Sequence, residues 1–64
     1  MQVTLKAARI NVGLTQKEAA KELNVSKDTI SNWERGQSFP DVMDIKRIEK
    51  LYRVMYADII FLSS

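Results

Sequence analysis

Two helix-start signals stand close together in this sequence, and only a tight turn fits between the helices that they begin. Thr15 and Glu18 form a capping box, in which the threonine hydroxyl caps the helix and the glutamate bonds back to the cap. Ser26 is a candidate N-cap for the next helix, and Asn24 before it tolerates the left-handed backbone of a sharp turn. Ala20 supplies a small residue where the two helices touch. The pattern predicts a helix-turn-helix.

The second helix of this pair, residues 26–35, has few apolar side chains. Ile30 and Trp33 are three residues apart, so they lie on one face, and Trp33 is core rather than a platform for stacked bases. The opposite face carries Asp28, Ser31, Asn32 and Arg35. A helix that served stability alone has no need of short polar side chains there. The pattern favours a helix that bonds to base edges in the major groove of DNA.

The composition limits how the fold is held together and what chemistry it supports. A chain of 64 residues is one small domain, residues 1–64, and it buries a limited core. It has no cysteine for a disulfide and no histidine for a zinc site, so we expect no metal and no cofactor. Without these residues or a glycine-rich phosphate loop, no catalytic set can be assembled, and we expect no enzyme.

Charge and hydropathy point to a soluble protein that tolerates a polyanionic partner. The net charge of +2 and the isoelectric point near 9.2 permit nucleic-acid binding without proving it. No apolar run approaches the roughly 20 residues that span a bilayer. The first residues lack the apolar segment of a signal peptide. We therefore expect a cytoplasmic protein with no membrane partner.

The rest of the chain predicts three further helices and an all-α fold. Gly13 ends the first helix, Asp41 caps the fourth, and residues 56–62 are predicted to form a fifth. The apolar positions predicted for the first and fourth helices are Leu5, Ala8, Ile10, Val12, Val42, Ile45, Ile48, Leu51 and Tyr52. The prediction is a compact five-helix bundle.

Residues 15–36 resemble the helix-turn-helix regulators of the phage repressor/Cro type, the XRE family. The matching positions are Gln16, Ala20, Val25, Ile30, Trp33, Glu34, Arg35 and Gly36, and Pro40 and the later apolar rhythm continue the likeness. The resemblance covers about residues 5–62. It implies a lambda-repressor-like five-helix fold, sequence-specific binding of double-stranded DNA and a homodimer.

Carried over by position, the resemblance implies a set of DNA-contacting residues. Gln16 would meet phosphate at the start of the second helix, where helix amides favour an anion. Phosphate or the first base would meet Ser26 and Lys27, base edges would meet Asp28, Thr29 and Asn32, and the DNA backbone would meet Gln37 and Ser38. Asn32 suits adenine, which an asparagine bonds at two points. Arg9 and Glu34 match an internal ion pair of the family.

The apolar run at residues 59–62 would point all round a helix, so part of it would face a partner chain. We expect a dimer interface at Tyr56, Ile59, Ile60 and Phe61, although Arg53 stands where the family often has glycine. The expected protein is a transcriptional regulator, a repressor, that binds an inverted-repeat operator. The alternative is a protein-interaction module of the same fold, such as an antitoxin or adaptor with an unknown partner, which the phosphate-repelled Asp28 favours.

Overall fold

The computed structural model describes residues 2–62 and shows short elements that follow one another closely. In chain order they are β1 (Val3–Thr4), α1 (Leu5–Asn11), α2 (Gln16–Leu23), α3 (Lys27–Arg35), α4 (Val42–Tyr52), a 3₁₀ turn (Tyr56–Asp58) and β2 (Ile59–Ile60). The described residues therefore contain four α-helices and one two-stranded sheet. Each of these helices is too short or too polar to cross a membrane.

Every α-helix starts at a side chain that accepts a backbone N–H from the third helical residue. These caps are Thr4, Thr15, Ser26 and Asp41. Thr15 and Asp41 head complete capping boxes, so the predicted start of α2 is confirmed. The backbone N–H of Thr15 bonds to the Glu18 carboxylate and holds its pKa below the ordinary value. Such caps matter in a small fold, because each contributes about 1 kcal/mol.

The core lies between α1, α2, α3 and α4. Ile30 and Ile48 are fully buried, and Trp33 is 6% exposed, which confirms it as a core residue. Two of the apolar positions named for the first and fourth helices lie outside this core. Ile10 is 54% exposed because it lies beside the α1 stripe formed by Leu5, Ala8 and Arg9. Val42 is 70% exposed because it is the first residue of α4 and lies beyond the stripe's buried part.

The fold is mostly helical, as predicted, but the predicted fifth helix is wrong, and so is the count of five helices. Residues 56–62 form the 3₁₀ turn and then β2, which pairs in parallel with β1 in the register Val3↔Ile59 and Thr4↔Ile60. The side chain of Met55 makes no capping hydrogen bond, and two consecutive isoleucines suit an extended backbone. Alternation in β2 then places Ile59 in the core, at 8% exposure, and Ile60 outward, at 41%.

The chain leaves α4 through a left-handed residue. Arg53 has φ 55° and ψ 48°, and it is one of two non-glycine residues at positive φ among those described, with Asn24. Asparagine adopts this conformation readily, whereas arginine pays a steric cost for it. Arg53 is exposed, so its backbone angle rather than its side chain is what the fold requires here.

We expect Arg53→Gly to raise the free energy of unfolding by about 0.5–1 kcal/mol. Glycine removes the steric cost of the left-handed conformation, and the larger conformational entropy that glycine loses on folding offsets part of this gain. The matched control is Arg47→Gly, the same substitution within α4, which should lower it by about 1 kcal/mol. Urea denaturation measures both. Changes of the same sign in the two variants would contradict this description of the α4 terminus.

Candidate nucleic-acid interface

The turn between α2 and α3 is built from a left-handed asparagine and backbone hydrogen bonds. Asn24 has φ 57° and donates its N–H to Lys21 O at 3.3 Å, while Val25 N donates to Ala20 O at 3.0 Å. Ala20 is buried where the chain turns, as the helix-turn-helix pattern requires. This short connection fixes the direction in which α3 leaves α2.

The anchored side of α3 determines which side chains remain available for a ligand. Ile30 and Trp33 are buried against the other helices. The residues left on or near the surface are Lys27, Asp28, Thr29, Ser31, Asn32 and Arg35, of which Thr29, Ser31 and Asn32 are half-buried. The structure thus brings the predicted base-contacting residues together along one helix.

The first turn of α3 has its hydroxyls tied to one another. Ser26 Oγ accepts the Thr29 N–H at 3.1 Å and lies 2.9 Å from Thr29 Oγ1. Ser26 therefore acts first as the helix cap. Lys27 and Asp28 next to it are exposed and sit at the N-terminal end of the helix, where its dipole favours an anion.

A second exposed contact links two side chains at the other end of α3. Arg35 Nη2 donates to Asn32 Oδ1 at 2.7 Å, a distance typical of a charge-assisted hydrogen bond. The residues are three positions apart, so they are neighbours on the helix surface. Sequence reasoning placed both on the outer face but missed that they bond to each other. Their spacing was the available signal.

The predicted ion pair between Arg9 and Glu34 is confirmed and joins α1 to α3. Arg9 Nε donates to Glu34 Oε2 at 2.6 Å and Nη2 donates to Oε1 at 3.2 Å, which makes the pair bidentate. Arg9 Nη1 also donates to the carbonyl of Leu14 at 2.7 Å. Both side chains are buried. The bond to Glu34 raises the pKa of Arg9, and burial opposes that rise.

Gln16 attaches the start of α2 to the same carboxylate. Its Nε2 donates to Glu34 Oε1 at 3.0 Å, and the side chain is half-buried. A carboxamide carries two N–H donors, so one remains for an anion after this bond is made. Sequence reasoning placed Gln16 at a phosphate but gave no sign of its bond to Glu34, because the two residues lie far apart in the chain.

Tyr52 of α4 packs near this pair and stays uncharged. Burial raises the pKa of its phenol to about 12, the negative charge of Glu34 adds to the rise, and Arg9 opposes it. The phenol is therefore neutral at any physiological pH. Because Tyr52 is neutral, it adds no charge next to the Arg9–Glu34 pair.

The loop after α3 begins at Gly36, whose φ of 76° ends the helix in the left-handed region. Gln37 N and Ser38 N both donate to Asn32 O, at 2.9 and 3.4 Å. These bonds fold the loop back over the end of α3. The side chains of Gln37 and Ser38 are exposed there, beyond the polar face of the helix.

A family model described as helix-turn-helix matches residues 5–57, from the start of α1 into the 3₁₀ turn. The chain belongs to this family. It is the family of Cro/C1-type (XRE) transcriptional regulators, so the resemblance seen in the sequence is confirmed. The match includes the ion pair, the turn and the whole of α3.

Two transcriptional regulators are similar to this helix-turn-helix domain. Over 50 residues, 78% of the chain, it is 44% identical to the HTH-type transcriptional regulator ImmR of Bacillus subtilis (strain 168) and 38% identical to the HTH-type transcriptional activator BcrR of Enterococcus faecalis. The matched regions cover 39% and 24% of those proteins, so the chain spans well under half of either relative. No solved structure matches the chain significantly.

A second surface of the domain is apolar. The apolar patch consists of Phe39, Val42, Ile45, Tyr56 and Phe61, which line two adjoining shallow grooves at the start of α4. The Phe61 ring lies 6.2 Å from the ring of Phe39 and 5.8 Å from that of Tyr56, measured between centroids. Phe39, Val42 and Tyr56 are exposed.

The four residues predicted for a dimer interface are not equally available to a partner. Tyr56 and Ile60 are exposed and Phe61 is half-buried, whereas Ile59 belongs to the domain's own core and pairs with Val3. The helix from which this interface was inferred is absent. An interface in this region would therefore have to use Tyr56, Ile60 and Phe61 rather than one face of a helix.

We expect Arg9→Met to lower the free energy of unfolding by about 3–5 kcal/mol, because it leaves the Glu34 carboxylate buried without its partner. The double variant Arg9→Met/Glu34→Leu should lose less than Arg9→Met alone, since no charge is then stranded. Lys6→Met, on the exposed side of α1, is the control and should change stability by no more than about 0.5 kcal/mol. Urea denaturation of the four proteins tests this. A loss in the double variant as large as that of Arg9→Met alone, or larger, would contradict the assignment.

Proposed function

We propose that this domain is a sequence-specific, double-stranded DNA-binding transcriptional regulator that binds an inverted-repeat operator as a homodimer. The observation that carries the proposal is the construction of α3. Its apolar residues Ile30 and Trp33 fix it to the core, and its polar residues form one continuous outward face. In this proposal α3 lies in the major groove, which admits an α-helix.

Phosphate contacts would come from both ends of the helix-turn-helix. Gln16 at the start of α2 and Lys27 at the start of α3 lie at helix N-termini, where free amides and the dipole favour an anion. The backbone of Ser26, at the start of α3, would make a further phosphate contact. Gln37 and Ser38 would reach the DNA backbone beyond the groove from the loop that folds over α3. Together these groups position α3 but carry no sequence information.

Base contacts would come from Asp28, Thr29 and Asn32 on the outward face of α3. A carboxylate accepts from cytosine N4, a threonine methyl meets the methyl of thymine, and an asparagine amide bonds a purine edge. Asp28 lies near phosphates in this arrangement. The phosphates repel its carboxylate least if the side chain points toward the bases. There it would disfavour any base pair that offers no amino group to donate to it.

The apolar patch and the outward side of β2 support the dimer. Tyr56, Ile60 and Phe61 would meet the same residues of a second copy, and Ile59 would hold β2 in place from within the core. In the proposed dimer, the two α3 helices would lie in successive major grooves, about 34 Å apart on one side of the duplex. The mode proposed is repression, in which the bound domain keeps other proteins from the operator that it occupies. The protein would act in the cytoplasm, where bacterial DNA lies.

A second function has one observation in its favour. The grooves of the apolar patch could receive a protein of another kind, as in an antitoxin or an adaptor. The two functions differ in their response to salt. DNA binding through several phosphate contacts weakens steeply as salt rises, whereas an apolar contact is almost unaffected.

Selection from a random duplex library at near-physiological salt tests the proposed function. We expect enrichment of an inverted repeat with half-sites one helical turn apart. Recovery of no sequence motif, with weak and salt-sensitive retention only, would contradict sequence-specific binding and favour the protein-contact function.

Asn32→Ala is expected to weaken binding to the selected site by about 1–3 kcal/mol and to leave binding to unrelated duplexes unchanged, because it removes a base contact and no phosphate contact. Asn11→Ala, an exposed asparagine at the end of α1, is the matched control and should bind as the wild type does. Fluorescence anisotropy gives the affinities. An equal loss on all duplexes would show that Asn32 does not read a base.

Ile60→Asp is expected to convert the dimer to a monomer and to weaken operator binding by at least about tenfold, because it places a charge in an apolar interface. Ile10→Asp is the matched control, since Ile10 is an isoleucine of similar exposure on α1. Analytical ultracentrifugation reports the oligomeric state. A dimer that survives in Ile60→Asp would exclude β2 from the interface.

A further inference from the structure

We infer that Arg35 sets the base specificity of Asn32, so that the two side chains act as one donor unit and read guanine rather than adenine. The inference rests on the proposed function, in which α3 enters the major groove. It goes beyond that function because it assigns a role to Arg35 and names the base that Asn32 meets. It carries one consequence that is unusual for an asparagine on a recognition helix: adenine is disfavoured.

The bond between the two side chains determines how the Asn32 amide is oriented. Arg35 Nη2 lies 2.7 Å from Asn32 Oδ1. A guanidinium has only donors, so the amide atom that it meets has to be the oxygen. The chemistry of arginine therefore settles the orientation, which the similar sizes of the amide oxygen and nitrogen leave ambiguous. The Nδ2 group of Asn32 is then directed away from Arg35.

An amide held in this way is poorly suited to adenine. To bond adenine at two points, asparagine donates to N7 and accepts from the N6 amino group, and it needs a free oxygen for the second bond. Here the oxygen is engaged by a cation. The adenine amino group would approach the same oxygen beside the guanidinium, so two donors would compete for one acceptor.

Guanine presents the complementary pattern. Its N7 and O6 are both acceptors in the major groove, and the Asn32–Arg35 pair offers donors from the amide nitrogen and from the unused N–H groups of the guanidinium. The positive charge of Arg35 strengthens bonds to acceptors and weakens approach by donors. Guanine is therefore the base that satisfies the pair.

Arg35 could instead serve only to stabilise the end of α3. It is the last residue of α3, where a cation is favoured by the helix dipole, and its bond to Asn32 adds to helix stability. That role predicts a small change in stability when Arg35 is replaced and no change in base preference. Base preference therefore separates the two roles.

The experiment starts from the operator selected by the wild type. The base pair read by Asn32 is the one at which Asn32→Ala loses preference, and four duplexes carry each base at that position. Affinities are measured for the wild type, Arg35→Ala and Arg47→Ala. The last variant removes the same charge from α4, outside the helix-turn-helix. Thermal unfolding of each variant confirms that it folds.

We expect the wild type to bind the guanine duplex about tenfold or more tightly than the adenine duplex, as one good base contact allows. Arg35→Ala should reduce that ratio to about one or reverse it, because the freed oxygen can then accept from adenine. Arg47→Ala should keep the wild-type ratio. In the free protein, Arg35→Ala should also shift the side-chain amide resonances of Asn32.

Three results of the DNA-binding measurements would overturn the inference while leaving the proposed function intact. They are a wild-type preference for adenine at the Asn32 position, an unchanged ratio in Arg35→Ala, and a selected site at which Asn32→Ala loses no preference. Unchanged Asn32 amide resonances would overturn it without any DNA present. Failure of the wild type to select any sequence would overturn the inference and the proposed function together.

Discussion

The buried ion pair between Arg9 and Glu34 is the interaction on which the arrangement of this domain depends. One carboxylate receives Arg9 from α1 and Gln16 from α2, and it belongs to α3. Arg9 also holds the Leu14 carbonyl in the loop before α2. A buried pair of this kind adds little net stability compared with apolar residues, but it tolerates few alternative geometries. Its value lies in fixing three elements relative to one another.

Orientation of this precision is what a DNA-reading helix requires. The apolar core of Ile30, Ile48 and Trp33 supplies burial, which is non-directional and allows helices to slide. The polar network removes that freedom. Every buried side-chain nitrogen and oxygen in the described part of the chain has a partner, so the network is complete and carries no unsatisfied group. The surface of α3 is thus carried by a support whose buried polar side chains are all paired.

The two surfaces proposed to be functional are chemically distinct. The outward face of α3 is polar, with short side chains and a cation at each end, Lys27 and Arg35. The apolar patch, by contrast, is built from aromatic and branched aliphatic residues at the start of α4 and near the end of the described chain. This separation permits one surface to meet DNA while the other meets a second protein chain.

The sequence predicted the parts of this fold that depend on neighbours in the chain. The caps at Thr15 and Ser26, the left-handed Asn24 and the anchors of α3 all follow from residues within one or two turns. The family resemblance added the Arg9–Glu34 pair, which lies across 25 positions. The bond between Asn32 and Arg35 was not predicted. Their spacing of three residues permits a contact, but the side-chain rotamers decide whether the bond forms.

The fifth helix was predicted wrongly because the structure of this segment depends on residues far away in the chain. A short apolar run such as residues 59–62 fits a helix and a strand equally well when read by itself. Its partner is β1, near the other end of the chain, and pairing over such a distance leaves no local mark in either segment. Arg53 and the uncapped Met55 were local signs that the chain leaves α4 without starting another helix.

An NMR titration of the ¹⁵N-labelled domain with a short random-sequence duplex at low salt tests the central claim most directly, because non-specific binding needs no knowledge of the operator. The predicted result is a set of shifted backbone amides confined to the start of α2, to α3 and to the loop at Gln37 and Ser38, lost again as salt is raised. Shifts centred on the apolar patch with α3 unaffected, or no shifts at all, would contradict the claim that α3 is the DNA-reading helix.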